Sequence, residues 1–277
     1  MFQPKGEKIM SYIKLSEVTP KRVIDAIFRR ISDIPQTIAW NSKNGLALRN
    51  RERLEHYRNK HAGERCFIIG NGPSLKKTDL SLLKNEESFG ANRLYLLFDE
   101  MDFRPTYYCS VNKLVQQQFG DDMEKLDMVK FFNWNCRNYF SDNDKLLFIK
   151  SKLALKDIGF QPDVTKQIGT GGTVTIASLH LAYYMGFTKV ILIGCDHSFA
   201  EKGTPNKTIS NNRDDVNHFH PDYFPKGALW QLPDFVKNEF AYQKVKTAFE
   251  ADGREVVDAT IGGKLQVFRK VDYASLF

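Results

Sequence analysis

The residues best suited to chemistry sit where short apolar runs break into small polar turns. Cys66–Ile69 gives way to Gly70-Asn71-Gly72-Pro73-Ser74, the pattern of a buried parallel strand ending in a tight, phosphate-facing turn before a helix. Gly70 and Gly72 let backbone approach a ligand closely, and Ser74 is placed to cap the following helix. The turn lacks the third glycine of a dinucleotide fingerprint and the Gly-Lys-Ser/Thr ending of a P-loop. A plain strand-to-helix turn is the competing reading. Asn92 and Asn112 end two further strand-like runs; an Asn there can donate and accept at once, as a ribose or base edge requires. Each alone reads as a turn residue, whereas three such Asn at successive strand ends form a set.

Three other stretches join it. Ile168-Gly-Thr-Gly-Gly-Thr173 leads into an apolar helix, so Thr170, Gly171 and Gly172 offer backbone N–H groups to a carboxylate or phosphate; close helix packing would use the same residues. Ile193-Gly-Cys-Asp196 ends a very apolar strand in an acid that can bind hydroxyls, orient a histidine or hold a metal. Asn217-His218-Phe219-His220-Pro221-Asp222-Tyr223-Phe224 carries two of the six histidines. One of His218 and His220 reads as a general base near neutral pH, the other reading being a structural loop histidine. No third metal ligand is evident, so no metal is assigned.

The elements that must position these residues follow from alternation. Strand-like runs at 65–70, 88–92, 106–111, 129–134, 145–150, 188–194 and 254–259 are separated by helical candidates at 77–84, 112–126, 172–186 and 236–251. This predicts an α/β fold: a Rossmann-like, mostly parallel sheet with helices on both faces and ligands at the carboxyl ends of its strands. The interval 200–235 has little periodicity and reads as a long, lid-like loop. Residues 1–60 show no strand of their own and form an N-terminal helical appendage, with an amphipathic helix at 20–31 and a basic one near 47–61. Residues 61–277 form the nucleotide-binding catalytic domain.

Composition bounds the function. The 277 residues are 42% hydrophobic and 26% charged, with a net charge of +7, as in globular proteins. Residues 1–64 hold 13 Lys/Arg against 7 Asp/Glu, so the catalytic part is close to neutral and is not a nucleic-acid binder. The basic N-terminal helix packs on its own domain, on a second copy in a homo-oligomer, or peripherally on an anionic membrane face. No run approaches the ~18 apolar residues of a membrane span, the N-terminus lacks a signal-peptide core, and Cys66, Cys109, Cys136 and Cys195 are scattered. These features predict a cytoplasmic protein with reduced thiols.

The motif set resembles a known family. Gly70-Asn-Gly-Pro-Ser-Leu75, Asn92-Arg-Leu-Tyr95, Gly169-Thr-Gly-Gly172, Gly194-Cys-Asp196 and Asp258-Ala-Thr-Ile-Gly-Gly-Lys-Leu265 match the DUF115 family. That family is also called the 6-hydroxymethylpterin diphosphokinase MptE-like, or flagellin-modification accessory-factor, domain. The likeness covers residues 65–277. More distantly the chain is similar to the bacterial sialyltransferases of glycosyltransferase family 42. That resemblance implies an inverting, metal-independent glycosyltransferase that uses a CMP-activated, sialic-acid-like or other nucleotide sugar on a lipopolysaccharide, capsule or other surface glycan. Gly70, Asn71, Gly72, Ser74, Asn92 and Asn112 would then hold the nucleotide, and Thr170–Gly172 the donor's anionic group. Asp196 would orient the ligand, and His218 or His220 would deprotonate the acceptor. The sialyltransferases bond the departing phosphate with tyrosines after the Gly-x-Asp; here His197, Ser198 and Phe199 stand in that place, leaving Tyr223 and Lys226 as leaving-group candidates. The other branch implies magnesium-dependent diphosphate transfer from ATP to a hydroxymethylpterin, with Asp196, Asp214, Asp215 and Asp222 as available carboxylates. A non-catalytic nucleotide- or sugar-binding accessory protein is the third reading.

Overall fold

The computed structural model describes residues 20–152 and 160–277. Two compact units divide between Ala47 and Leu48. In the first unit, α1 (Pro20–Trp40) extends the helix expected at 20–31 by more than two turns and contains Pro35. Its Ile24, Phe28, Ile31, Ile34 and Ile38 are exposed. α2 spans Gly45–Glu55.

The second unit is built on one sheet. Its strands are β1 (Arg65–Ile69), β2 (Ser88–Ala91), β3 (Tyr107–Ser110), β4 (Val129–Asn133) and β5 (Leu146–Ile149). Two short strands, β6 (Ser151–Lys152) and β7 (Ile168–Gly169), pair with each other outside it. β8 (Lys189–Ile193), β11 (Glu255–Asp258) and β12 (Arg269–Lys270) complete the main sheet, while β9 (Thr208–Ser210) and β10 (Leu229–Gln231) form a separate antiparallel ladder. The main sheet runs β12-β11-β8-β1-β2-β3-β4-β5, and every pairing in it is parallel. β1 and β8 pair from Arg65 opposite Lys189 to Ile69 opposite Ile193. After a charged first residue, each reads as an unbroken apolar run because both faces are covered. The chain winds outward from β1 to β5, then returns to β8 on β1's other side. The strand order therefore reverses between β1 and β8, where α/β sheets open a crevice at their carboxyl ends.

The helices follow from composition. α4 (Val174–Tyr184) carries no charge and is buried along nearly its whole length, as expected of a helix apolar all round. It packs on β1, β2 and β3 and against α5 (Phe235–Ala251). α3 (Lys113–Glu124) follows β3. Asn50 of α2 covers the β5 edge, accepting from Phe148 N at 2.7 Å and donating to Phe148 O at 2.9 Å. The helix expected over 77–84 is instead two 3₁₀ turns, Pro73–Lys77 and Leu80–Leu83. Thr78 bonds Ser74 O and Asp79 caps Ser81, local bonds that compete with a continuous helix. The four cysteines are buried free thiols; burial pushes Cys136 up to about 11 and Cys109 up to about 12.

Candidate active site

The β1 turn closes on the β8 exit. Gly70 N donates to Ile193 O at 2.8 Å and Gly72 N to Gly194 O at 2.9 Å, so the ladder continues past both strands. A Cβ on Gly70 would lie 2.3 Å from Gly194 O, and one on Gly72 would lie 1.9 Å from Asp196 Oδ2. The close approach that requires glycine is thus to the neighbouring loop. Ser74 does not cap through its side chain: Gly72 holds the N-cap position, and Ser74 Oγ donates to Asp196 Oδ2 at 2.6 Å while Ser74 N donates to Oδ1 at 3.1 Å. A carboxylate of the protein thus accepts the Ser74 N–H, one of the donors expected to face an external phosphate. The β11 exit joins them: Thr260 Oγ1 accepts from Cys195 N at 3.1 Å, and Asp196 O accepts from Lys264 N at 2.9 Å. Fully buried Asp258 fixes that loop, bonding Thr260 N at 2.8 Å and Lys270 Nζ at 2.6 Å.

The three Asn residues differ. Asn71 is part-buried at the β1 end, and its Oδ1 is buried without a donor. Asn92 adopts a left-handed φ of 49°; its Oδ1 accepts from Ser110 Oγ at 3.1 Å and its carbonyl from Tyr108 Oη at 2.6 Å. Asn112 caps α3, accepting from Leu114 N at 2.9 Å and Val115 N at 3.3 Å. Two of the three amide oxygens are therefore committed to the fold, and that of Asn71 is not.

The second glycine turn serves helix packing. Gly171 and Gly172 take φ of 57° and 96°, a Cβ on Gly171 would lie 2.3 Å from Ala241 Cβ, and Asn238 Nδ2 donates to Gly171 O at 2.9 Å. Thr170 is buried, its N bonded to Lys152 O at 3.1 Å. Thr173, one residue further on, caps α4.

The interval 200–235 is an ordered insertion rather than a featureless loop. Phe199, His218, Tyr223, Phe224 and Trp230 form an aromatic cluster, and β9 pairs with β10. Several bonds tie it to the body. Phe219 N donates to Asn71 O at 3.0 Å. Arg93, stacked on Phe119, donates to the carbonyls of Asp222 and Tyr223. Gln118 on α3 exchanges bonds with Leu229 N at 2.7 Å and Leu229 O at 2.8 Å.

This anchoring separates the two histidines. His218 Nδ1 lies 2.8 Å from Oδ2 of nearly buried Asp215, and its ring stacks on Tyr223 with centroids 3.9 Å apart. A carboxylate on one ring nitrogen fixes tautomer and orientation and leaves the other to exchange a proton. His220 Nδ1 accepts from Asp222 N at 3.1 Å, a local turn bond. Tyr223 is 1% exposed; burial holds its phenol protonated, and Asn92 and Arg93 bond it. It is a core residue of the insertion, not a surface ready for phosphate. Lys226 is exposed and lies 3.9 Å from Asp214, beside a depression of about 310 Å³ lined by Arg213, Asp214, Pro221, Asp222 and Pro225. His197, with φ of 55°, turns to α5, its Nε2 3.1 Å from Glu239 and its ring edge-on to Phe235; burial outweighs that carboxylate and lowers its pKa.

Among the carboxylates named for magnesium, Asp196 is bonded to Ser74, Asp215 to His218 and Asp214 to Lys226. Sequence reasoning missed Asp215 as the partner of His218, although an Asp three residues before a His was visible. It also missed Arg93 and Gln118, whose partners lie more than 100 positions away.

Comparison with known proteins gave the following. The family model described as 6-hydroxymethylpterin diphosphokinase MptE-like matches residues 38–202. A search of curated proteins found no match. Among solved structures the chain is similar to a mammalian sialyltransferase crystallised with Gal-beta-1-3GalNAc-ortho-nitrophenol. Identity is 12% and the TM-score 0.38, over 90% of this chain and 89% of that one.

Proposed function

The chain belongs to the 6-hydroxymethylpterin diphosphokinase MptE-like family, and from that premise we propose that it is a transferase acting on a nucleotide-activated substrate. The reading we favour is an inverting glycosyltransferase with a nucleotide-sugar donor, CMP-linked and sialic-acid-like, and a glycan hydroxyl as acceptor. The observation that carries it is one juncture. The insertion that holds the Asp215–His218 pair bonds through Phe219 N to Asn71, whose buried side-chain oxygen lacks a donor at the carboxyl end of β1. An unpaired buried acceptor costs about 1–3 kcal/mol, and an amino group or hydroxyl of a nucleotide would satisfy it.

In this mechanism Asn71 meets the nucleotide, Asn92 and Asn112, their amide oxygens held by Ser110 and the start of α3, shape the neighbouring strand ends, and Asp196, held by Ser74, keeps the β1 and β8 exits together. His218 accepts the acceptor's hydroxyl proton as that oxygen attacks the anomeric carbon. The bond from that carbon to the phosphate oxygen breaks, and the nucleotide leaves with the electron pair. A single displacement inverts the configuration. Positioning donor, acceptor and base together supplies much of the acceleration. Lys226 and Arg213 line the depression on the insertion, paired with Asp214 and Glu201, and are candidates for meeting a phosphate or an acidic acceptor.

The test separates the histidines. His218→Ala lowers turnover by about 10²–10⁴-fold, the usual worth of a general base, while nucleotide affinity stays within a few-fold. His220→Ala retains most activity. Equal retention in both variants contradicts the base assignment. The family description favours a second reading, diphosphate transfer from ATP; it requires magnesium-dependent ATP binding, which the glycosyltransferase reading does not.

A further inference from the structure

At the amino rim of the sheet, opposite the strand ends that carry the proposed reaction, three metal-type donors converge. His61 and Glu64 belong to the turn before β1, Glu87 immediately precedes β2, and Tyr107 opens β3. Because these strands are parallel, their beginnings share one rim. His61 is 7% exposed; its Nδ1 lies 2.8 Å from Glu64 Oε2, its Nε2 2.6 Å from Tyr107 Oη, and its ring stacks on Phe187 at 4.5 Å. One donor atom each from His61, Glu64 and Glu87 lies within 4.8 Å of the other two.

Two carboxylates meet one imidazole here, Glu64 exposed and Glu87 half-buried. Oε2 of Glu87 is buried and accepts no hydrogen bond, and the ion-pair partner of Glu64 is His61 alone among the described residues. The same turn caps the end of α4: Asn59 N, His61 N and Gly63 N bond the carbonyls of Tyr184, Met185 and Gly186. That is the negative end of the helix dipole, which favours a cation. An imidazolium would answer only part of this, because its second N–H points at the phenol oxygen of Tyr107 rather than at Glu87.

We propose that His61 Nδ1 and one oxygen each of Glu64 and Glu87 bind a divalent transition-metal cation of the zinc or manganese type. A mixed imidazole and carboxylate set suits such ions, with water completing the coordination. His61 Nε2–H then donates to Tyr107 Oη, the outer bond that fixes a ligating imidazole. The ion clamps the 56–64 turn to the starts of β2 and β3, a structural role independent of the transfer chemistry.

Chelator-stripped full-length protein, titrated with ZnCl₂ or MnCl₂ by calorimetry and followed by thermal unfolding, tests this. About one ion per chain binds and raises Tm by several degrees, since a ligand of the native state stabilises it. Glu87→Gln, nearly isosteric, weakens binding at least ~10-fold and removes most of the Tm gain; His61→Gln does the same if it folds, and Glu87→Gln carries the test if it does not. Absence of stoichiometric binding of either ion, or binding unchanged in Glu87→Gln, overturns the proposal.

Discussion

Gly72 and Asp196 show how closely single side chains set this site. The backbone of Gly72 (φ −74°, ψ 160°) suits any residue, so glycine is required there by contact alone: a Cβ would lie 1.9 Å from Asp196 Oδ2. Gly72→Ala should destabilise the protein by about 1–3 kcal/mol through overpacking. In an Asp196→Ala background the same change should cost much less, a coupling that a double-mutant cycle by denaturant unfolding measures. Additive effects would show that the carboxylate does not hold the turn. At the same scale, Asp215→Asn should lower turnover less than His218→Ala and leave nucleotide affinity near wild type, because it disturbs the orientation of the imidazole and not its presence. Spacing in the sequence brought out Gly70, Gly72 and Asp196 together, but it could not reveal that they face one another, since Ser74 of the same turn and Asp196 are 122 positions apart.

Among the elements, α4 carries a clear pH signature. His180 is buried within it, its ring nitrogens 2.8 Å from Gln161 O and 3.1 Å from Gly169 O, and burial outweighs both carbonyls to lower its pKa to about 4 from 6.5. The folded state therefore binds the proton less readily than the unfolded chain. The contribution is complete above pH 6.5 and declines as pH falls from 6.5 towards 4, because over that range the unfolded state takes up more proton. A thermal unfolding series over pH 4–8 should show this loss in the wild type and a flatter profile in His180→Gln; parallel profiles would contradict it. The alternation of strands and helices was readable from 65 onward because central parallel strands hold continuous apolar runs, 66–69 and 190–193 among them. The 3₁₀ turns at 73–83 were not, since local bonds by Ser, Thr and Asp decided them. The β9–β10 ladder escaped notice because its strands are three residues each, too short for a period to register.

For the whole molecule, the central feature is an insertion fastened across the strand ends at Asn71, Arg93 and Gln118. Arg93→Ala removes a cation stacked at 3.9 Å on Phe119 and the donor to two insertion carbonyls. Hydrogen exchange should then rise across 213–224 while the β1 and β8 amides stay protected; uniform loosening would argue against a separately anchored insertion. Residues 20–40 form a helix with an exposed apolar stripe, and no described helix is long and apolar enough to cross a membrane. The proposed transfer requires a nucleotide seated at the β1 end beneath the insertion. Calorimetric titration of wild type and Asn71→Ala with CMP, UDP, GDP and ATP, each with and without magnesium, tests it most directly. Metal-independent binding of CMP or another sugar-donor nucleotide, weakened about 10-fold or more when Asn71 loses its amide, is the predicted result. ATP binding only with magnesium, or nucleotide affinity indifferent to Asn71, would contradict it.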